Sequence, residues 1–174
     1  GMLEVFDQQV IEQGSAYIYS RLQFLKRFKN GFKEIHEHLC RGQHSVGIEY
    51  ESTLGITEDF ALGDIAMAFA SKLEADRSRD RARGFTSSGP HVDDILLSID
   101  QHPARIHASQ GQHRTLVLAL KIGEISHLHQ ELGYRPILLL DDVSSELDRS
   151  RNQQLMEFLL EKSGQVFITT TDPA

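Results

Sequence analysis

No apolar run in this sequence approaches the roughly 18 residues that a membrane-spanning helix needs. Nor does the chain open with a charged-then-apolar leader. No membrane partner is expected. Cysteine occurs once, at Cys40, so an internal disulfide framework is impossible and a reducing, cytoplasmic setting is the default expectation. Basic charge is in deficit: 18 Lys and Arg stand against 25 Asp and Glu, a formal net charge of −7. That balance rules out a chain-wide nucleic-acid footprint, so any DNA contact has to be local or to arise in an assembly. A Walker A loop is also missing. The pattern G-x-x-x-x-G-K-[ST] occurs nowhere, so no glycine and lysine cradle exists for β- and γ-phosphates.

What is present is ordinary in bulk: 174 residues, 40% hydrophobic and 25% charged, enough for one good core or a core plus an appendage. Nine histidines are scattered. His36/His38 and His127/His129 stand at i, i+2, a spacing that does not share a helix face, so no zinc site is assigned.

The first forty residues place Leu3, Phe6, Val10, Ile18, Leu22, Leu25, Phe32, Ile35 and Leu39 mainly in steps of three and four. This predicts a long amphipathic helix or a pair of them. The pattern suits a core-facing helix and equally an arm packing on a partner helix. Gly14 and Gly31 are its weak points, each costing about 1 kcal/mol against Ala. VGIEYES (46–52) alternates and predicts a strand. Thr57-Glu58-Asp59 reads as an N-cap with an acidic first turn, starting a helix that runs to Gly84. Arg77, Arg79, Arg81 and Arg83 near its end suit the helix dipole.

Beyond Gly84 strands and helices alternate. ILLSI (95–99) and ARIHA (104–108) predict two strands joined as a hairpin through residues 100–103. A helix over 112–131, the strand PILLLDD (136–142), a helix over 149–162 and the strand QVFITTTD (165–172) follow. Strand, crossover helix, strand implies a parallel sheet. The expected organisation is a mainly helical subdomain over 2–84 and an α/β part over 85–174.

The chemistry concentrates in that second part. Three leucines predict a strand buried on both faces, and it ends in Asp141 and Asp142, where open α/β sheets place their ligands. Adjacent carboxylates suit a magnesium ion shared with substrate phosphates, with Asp141 holding the metal and Asp142 orienting water. A polar turn capping the next helix explains the pair as well. Ser144-Ser145-Glu146-Leu147-Asp148 follows, and Thr169-Thr170-Thr171-Asp172 closes the adjacent strand. Ser109-Gln110-Gly111-Gln112 precedes a helix, where unpaired N–H groups at the positive end of the dipole make an anion site. A helix cap needs one such residue, not four. The set amounts to half a nucleotide site.

This combination resembles the RecF family of bacterial recombination-repair ATPases, within the SMC class of ABC-type ATPases. The residues carrying the likeness are SSGPHVDDI (87–95), ASQGQHRTLVLALKIGE (108–124), PILLLDDVSSELD (136–148) and QVFITTTD (165–172). In order and spacing they are similar to the family's GPH-x-DD segment, signature motif, Walker B, D-loop and switch strand. Together with LEVFDQQV near the start, the likeness spans nearly the whole chain.

The resemblance implies the C-terminal part of an ABC/SMC-type ATPase head, a partly parallel sheet with flanking helices, plus the helical subdomain. By the same likeness Ser109, Gln110, Gly111 and Gln112 contact the γ-phosphate of ATP held by an opposing subunit. Asp141 is the Walker B ligand of Mg²⁺, Asp142 the catalytic carboxylate, Ser145 and Asp148 belong to the D-loop, and Thr171 or Asp172 stands at the switch. It further implies an ATP-dependent homodimer on DNA at gaps and single-strand/double-strand junctions. There the family serves DNA repair, replication, recombination and the SOS response with RecR and RecO, helping to load recombinase. Asp142 replaces the usual glutamate, which fits slow, switch-like hydrolysis, and the resemblance implies that the intact protein is a weak DNA-dependent ATPase. The switch histidine has no counterpart, and Val92 stands where the family's GPHRDD has arginine. Without a P-loop, the chain is expected to be the C-terminal portion of a longer protein, also cut short after Ala174, and inactive alone.

Two other classes fit parts of the pattern. A phosphoacceptor receiver domain also gathers acids and Mg²⁺ at strand ends, but needs a lysine where this chain has TTTD. An interaction module without nucleotide chemistry would use the first helix as its partner surface.

Overall fold

The computed structural model describes residues 2–141, 149–162 and 164–169. Two compact units are present, Gly1–Arg27 with Ile48–Leu96 and Phe28–Gly47 with Leu97–Ala174. The elements, in chain order, are α1 (Met2–Cys40), β1 (Val46–Glu51), α2 (Leu62–Arg83), β2 (Asp94–Ile99), β3 (His102–Pro103), α3 (Ala104–His107), α4 (Gln110–Leu132), β4 (Leu138–Leu140), α5 (Arg149–Lys162) and β5 (Val166–Ile168). By sequence α1, β1 and β2 each contribute to both units.

The three-and-four spacing of the first forty residues forms one helix of 39 residues. Ile18, Leu22, Leu25, Phe28, Phe32, Ile35 and Leu39 are all buried along it. Phe6 and Val10, nearer its start, are 56% and 45% exposed. In the first unit Ile18 and Leu22 pack with Ile56 and Ile65, flanked by Tyr19, Tyr50, Leu54 and Phe60. Gly14 lies against the buried Phe69, where a Cβ would come within 2.5 Å of the ring. The helix thus spends its propensity at Gly14 on close packing.

The start of α2 corrects the expected cap. Thr57 is not an N-cap; its carbonyl accepts the Phe60 N–H at 3.2 Å, closing a turn ahead of the helix. The first turn begins at Leu62, and the Asp64 carboxylate accepts the Ala61 N–H at 3.3 Å. The end is as the sequence predicts: Gly84 adopts φ 76°, and its N–H reaches the Asp80 carbonyl at 2.8 Å.

β1, β2 and β3 form a sheet in that order. The hairpin after β2 is real, but ARIHA is not its second strand. β3 pairs antiparallel over two residues, Ser98 with Pro103 and Ile99 with His102, and Ala104–His107 is a helical turn. Pro103 is the cause, since it has no N–H to continue the ladder and a φ suited to a helix start. The connecting turn is Asp100-Gln101, with φ 49° and 67°, the left-handed pair of a tight hairpin.

In the second unit Phe28, Phe32, Ile35 and Leu39 of α1 and Leu116, Ala119 and Ile122 of α4 are buried. A Cβ on Gly123 would meet the Phe28 ring at 3.0 Å, so the glycine lets α4 approach α1. β4 and β5 pair in parallel, Leu138 with Val166 and Leu140 with Ile168. Met156 and Leu159 of α5 line a cavity with Val166 and Ile168, which covers one sheet face. The opposite face corrects the expectation of a doubly buried strand: Leu139 is 73% exposed beside Ile137 and Phe167, both also exposed. Among the described residues this sheet has two strands and one covered face.

Candidate functional site

The polar knot Ser109-Gln110-Gly111-Gln112 straddles the start of α4. Ser109 is the N-cap, in extended backbone. Its Oγ accepts the Gln112 N–H at 3.3 Å, and the Gln112 Oε1 accepts the Ser109 N–H at 2.8 Å. This is the reciprocal capping box that Ser-x-x-Gln encodes. The Ser109 carbonyl then takes the His113 N–H at 2.9 Å, and the Gly111 carbonyl takes the Thr115 hydroxyl at 2.9 Å.

Two of the four residues are therefore occupied with capping, and the N–H groups of Ser109 and Gln112 are paired within the loop. What remains is specific. Among the described residues no acceptor reaches the N–H groups of Gln110 and Gly111, at the positive end of a 23-residue helix. The Ser109 hydroxyl accepts in the cap and keeps its own proton to donate. These three donors are the ones available to an anion at this helix start. The Gln110 side chain is exposed.

Asp141 directly follows β4, at the carboxyl end of a strand in a parallel sheet. Its Oδ1 accepts the Thr169 hydroxyl from the equivalent end of β5. The other carboxylate oxygen and the exposed setting fit the magnesium habit of binding one or two carboxylates, with water and phosphate completing the shell. Among the described residues no cluster of three or more His, Cys, Asp or Glu could form an all-protein cage. Asp142, Ser145, Asp148, Thr171 and Asp172 lie outside the described residues.

The GPHVDD segment belongs to the first unit, and Pro90 and Asp93 tie it there. Asp93 accepts from Tyr50 Oη at 2.6 Å and from the N–H and hydroxyl of Thr53, both at 2.7 Å. Burial, with the Asp93 bond second, pushes the Tyr50 phenol up to about 12. Arg21 donates to the Pro90 carbonyl at 2.6 Å. Ser88 donates to the buried Asp76 at 2.8 Å, and that bond, helped by Arg79 and Lys72, lowers the Asp76 pKa. Val92, the departure from the family pattern, is 46% exposed.

Comparison with known proteins decides the affiliation. The chain is 38% identical over 165 residues to the DNA replication and repair protein RecF of Syntrophotalea carbinolica, covering 95% of the chain and 44% of the relative. RecF of Pelotomaculum thermopropionicum is 41% identical over 156 residues, covering 90% of the chain and 43% of the relative. RecF of Bacillus subtilis is 36% identical over 170, covering 98% and 46%. A solved structure described as the recombination mediator protein RecF-ATP in the RecFOR pathway superposes with a TM-score of 0.85 at 31% identity, covering 98% of the chain and 45% of that chain. The chain matches a C-terminal portion of RecF.

No family model matches. The chain spans less than half the length of the curated relatives it matches. Its α/β fold is that of the RecF neighbour. Among the described residues no helix is long and apolar enough to cross a membrane.

Sequence reasoning missed one pair of residues here. His44 Nε2 lies 3.4 Å from the Gln112 Nε2, and His44 Nδ1 lies 2.7 Å from Asp100 Oδ2. Nothing in the sequence marks residues 44, 100 and 112 as neighbours.

Proposed function

We propose that this chain supplies the trans-acting half of a RecF-type ATP clamp, a DNA replication and repair protein that dimerises around ATP on DNA. The observation that carries the reading is the start of α4, where three donors have no acceptor among the described residues, in a chain 36–41% identical to RecF. Ser109, Gln110, Gly111 and Gln112 would grip the γ-phosphate of a nucleotide bound by the opposing subunit. Asp141 would hold Mg²⁺, which neutralises phosphate charge in such sites. Asp142 would orient the attacking water, Ser145 and Asp148 would cross the dimer interface, and Thr171 or Asp172 would sense the γ-phosphate.

The wider reading places the dimer at gapped DNA or single-strand/double-strand junctions, with RecR and RecO as partners, in the cytoplasm. Residues 2–84 would act as the helical subdomain and 85–174 as the head portion. The exposed Leu139, Ile137 and Phe167 support a sheet face that further chain covers in the intact protein. Hydrolysis would be slow, because aspartate at 142 is one methylene shorter than the glutamate of faster relatives.

The test is the molar mass in solution of the intact protein, with and without Mg-ATP, beside its Ser109→Arg variant. The expected result is a mass doubled by ATP in the wild type and unchanged in the variant, with ATP still bound by both. A wild-type mass indifferent to ATP, or a variant that dimerises normally, would make the loop a helix cap and nothing more.

A further inference from the structure

The His44 ring stands between Asp100 and Gln112, and the polarity of both ends of this chain of groups is fixed. A carboxylate only accepts, so His44 Nδ1 carries the proton it gives to Asp100. At the other end the Ser109 N–H only donates, so the Gln112 oxygen faces it at 2.8 Å. The Gln112 NH₂ is thereby turned toward His44, and it too only donates. His44 Nε2 must then accept and carry no proton. One state satisfies every group: a neutral His44 with its proton on Nδ1. A proton on Nε2 would set two donors face to face.

Asp100 is held in turn. It accepts the Ser45 N–H at 2.9 Å and the Ser45 hydroxyl at 3.2 Å. The His44 bond, then the Ser45 N–H, lowers the Asp100 pKa, so the carboxylate stays charged while histidines titrate. Lys33 and Glu37 of α1 line a cavity with His44. Among the described residues these two and Asp100 are the charged groups found beside the ring.

We propose that His44 and Asp100 are positioning residues for the signature loop: they hold the Gln112 side chain so that it seats Ser109, and protonation of His44 releases it. This deepens, and rests on, the reading of residues 109–112 as the γ-phosphate loop.

The test uses ¹⁵N-labelled protein and reads the His44 tautomer and the protection of the Ser109 amide against hydrogen exchange, between about pH 8 and 5, where histidines change charge. The wild type should show its proton on Nδ1 at the upper end and lose Ser109 protection about tenfold toward the lower end. His44→Gln can donate to Asp100 and accept from Gln112 without titrating, so it should keep protection throughout. His44→Phe should lose it throughout. In the intact protein, ATP-dependent dimerisation should weaken with acid in the wild type but not in His44→Gln. A proton on Nε2 at the upper end, or the same pH response in wild type and His44→Gln, overturns the proposal. An intact protein indifferent to ATP at every pH overturns the clamp reading, while the tautomer and protection still decide the relay.

Discussion

Two glycines in one helix should respond to the same substitution with opposite sign. Inside a helix, Gly→Ala ordinarily gains about 1 kcal/mol. At Gly31 a Cβ meets nothing within 4 Å, so Gly31→Ala should stabilise by about that amount. At Gly14 the new Cβ would stand 2.5 Å from Phe69 Cε1 and 3.4 Å from Cδ1. Carbon atoms pack at about 3.5–4.0 Å, so the ring has to retreat by roughly 1 Å. It has little room to do so. Phe69 is fully buried, and Gly89, at φ 122°, backs the same ring so closely that its own Cβ would lie 2.7 Å from Cζ. Overpacking costs about 1–3 kcal/mol, which exceeds the propensity gain, so Gly14→Ala should destabilise by up to about 2 kcal/mol. Urea unfolding of the wild type and both variants measures this directly. The Gly31→Ala midpoint should rise and the Gly14→Ala midpoint should fall. Phe69→Leu should recover part of the Gly14→Ala loss, because a smaller side chain vacates the space. If both alanines raise the midpoint together, α1 does not press on Phe69 as described and the packing argument fails.

Ser109→Asp separates capping from clamping: aspartate is as good an N-cap as serine, so stability should hold within about 0.5 kcal/mol. A carboxylate facing the γ-phosphate should nevertheless abolish ATP-dependent dimerisation of the intact protein. Retained dimerisation in light scattering would remove Ser109 from the phosphate contact. Asp93→Ala strands the Tyr50 hydroxyl and both Thr53 donors, and should cost roughly 2–4 kcal/mol in denaturant unfolding. A loss under about 0.5 kcal/mol would show the network is solvated. Asp76 has a folded pKa below its ordinary 3.8. Its contribution is therefore present above that value and lost as pH falls below it toward the folded pKa. Asp76→Asn should flatten the stability–pH curve in that acid window and leave the neutral-to-basic slope alone.

Local patterns carried well from sequence to structure, and long-range ones did not. Three-and-four spacing placed α1 and Gly84 placed the end of α2, because such signals are written within one turn, whereas the helix expected over 112–131 starts earlier, at Gln110 behind the Ser109 cap. The hairpin after β2 was legible but its second strand was not: ARIHA has strand composition, and Pro103 overrides composition by removing a donor. Leu139 was misjudged for a different reason. A run of leucines signals burial on both faces only if both faces are covered, and cover comes from other segments. The tie from Asp100 through His44 to Gln112 spans 56 and 68 residues of sequence. No periodicity reports such a closure.

These limits bear on the polar knot itself. The Ser-x-x-Gln capping box accounts for Ser109 and Gln112, and a helix start of no functional interest could carry both. The box does not engage Gln110 and Gly111, whose two N–H groups stay open at the end of the helix dipole as they do at any helix start. Nor does it account for a Gln112 amide held at its far side by a histidine and a carboxylate anchored to Ser45. A cap is complete once the serine and glutamine have met. Further fixing of that glutamine gains little stability on an exposed surface, whereas a phosphate clamp depends on donors already aimed before the nucleotide arrives. Within the four residues the Ser109 and Gln112 N–H groups and the Gln112 NH₂ are already engaged, so a clamp here would draw on the Ser109 hydroxyl proton and the Gln110 and Gly111 N–H groups, held in place by the tie through His44.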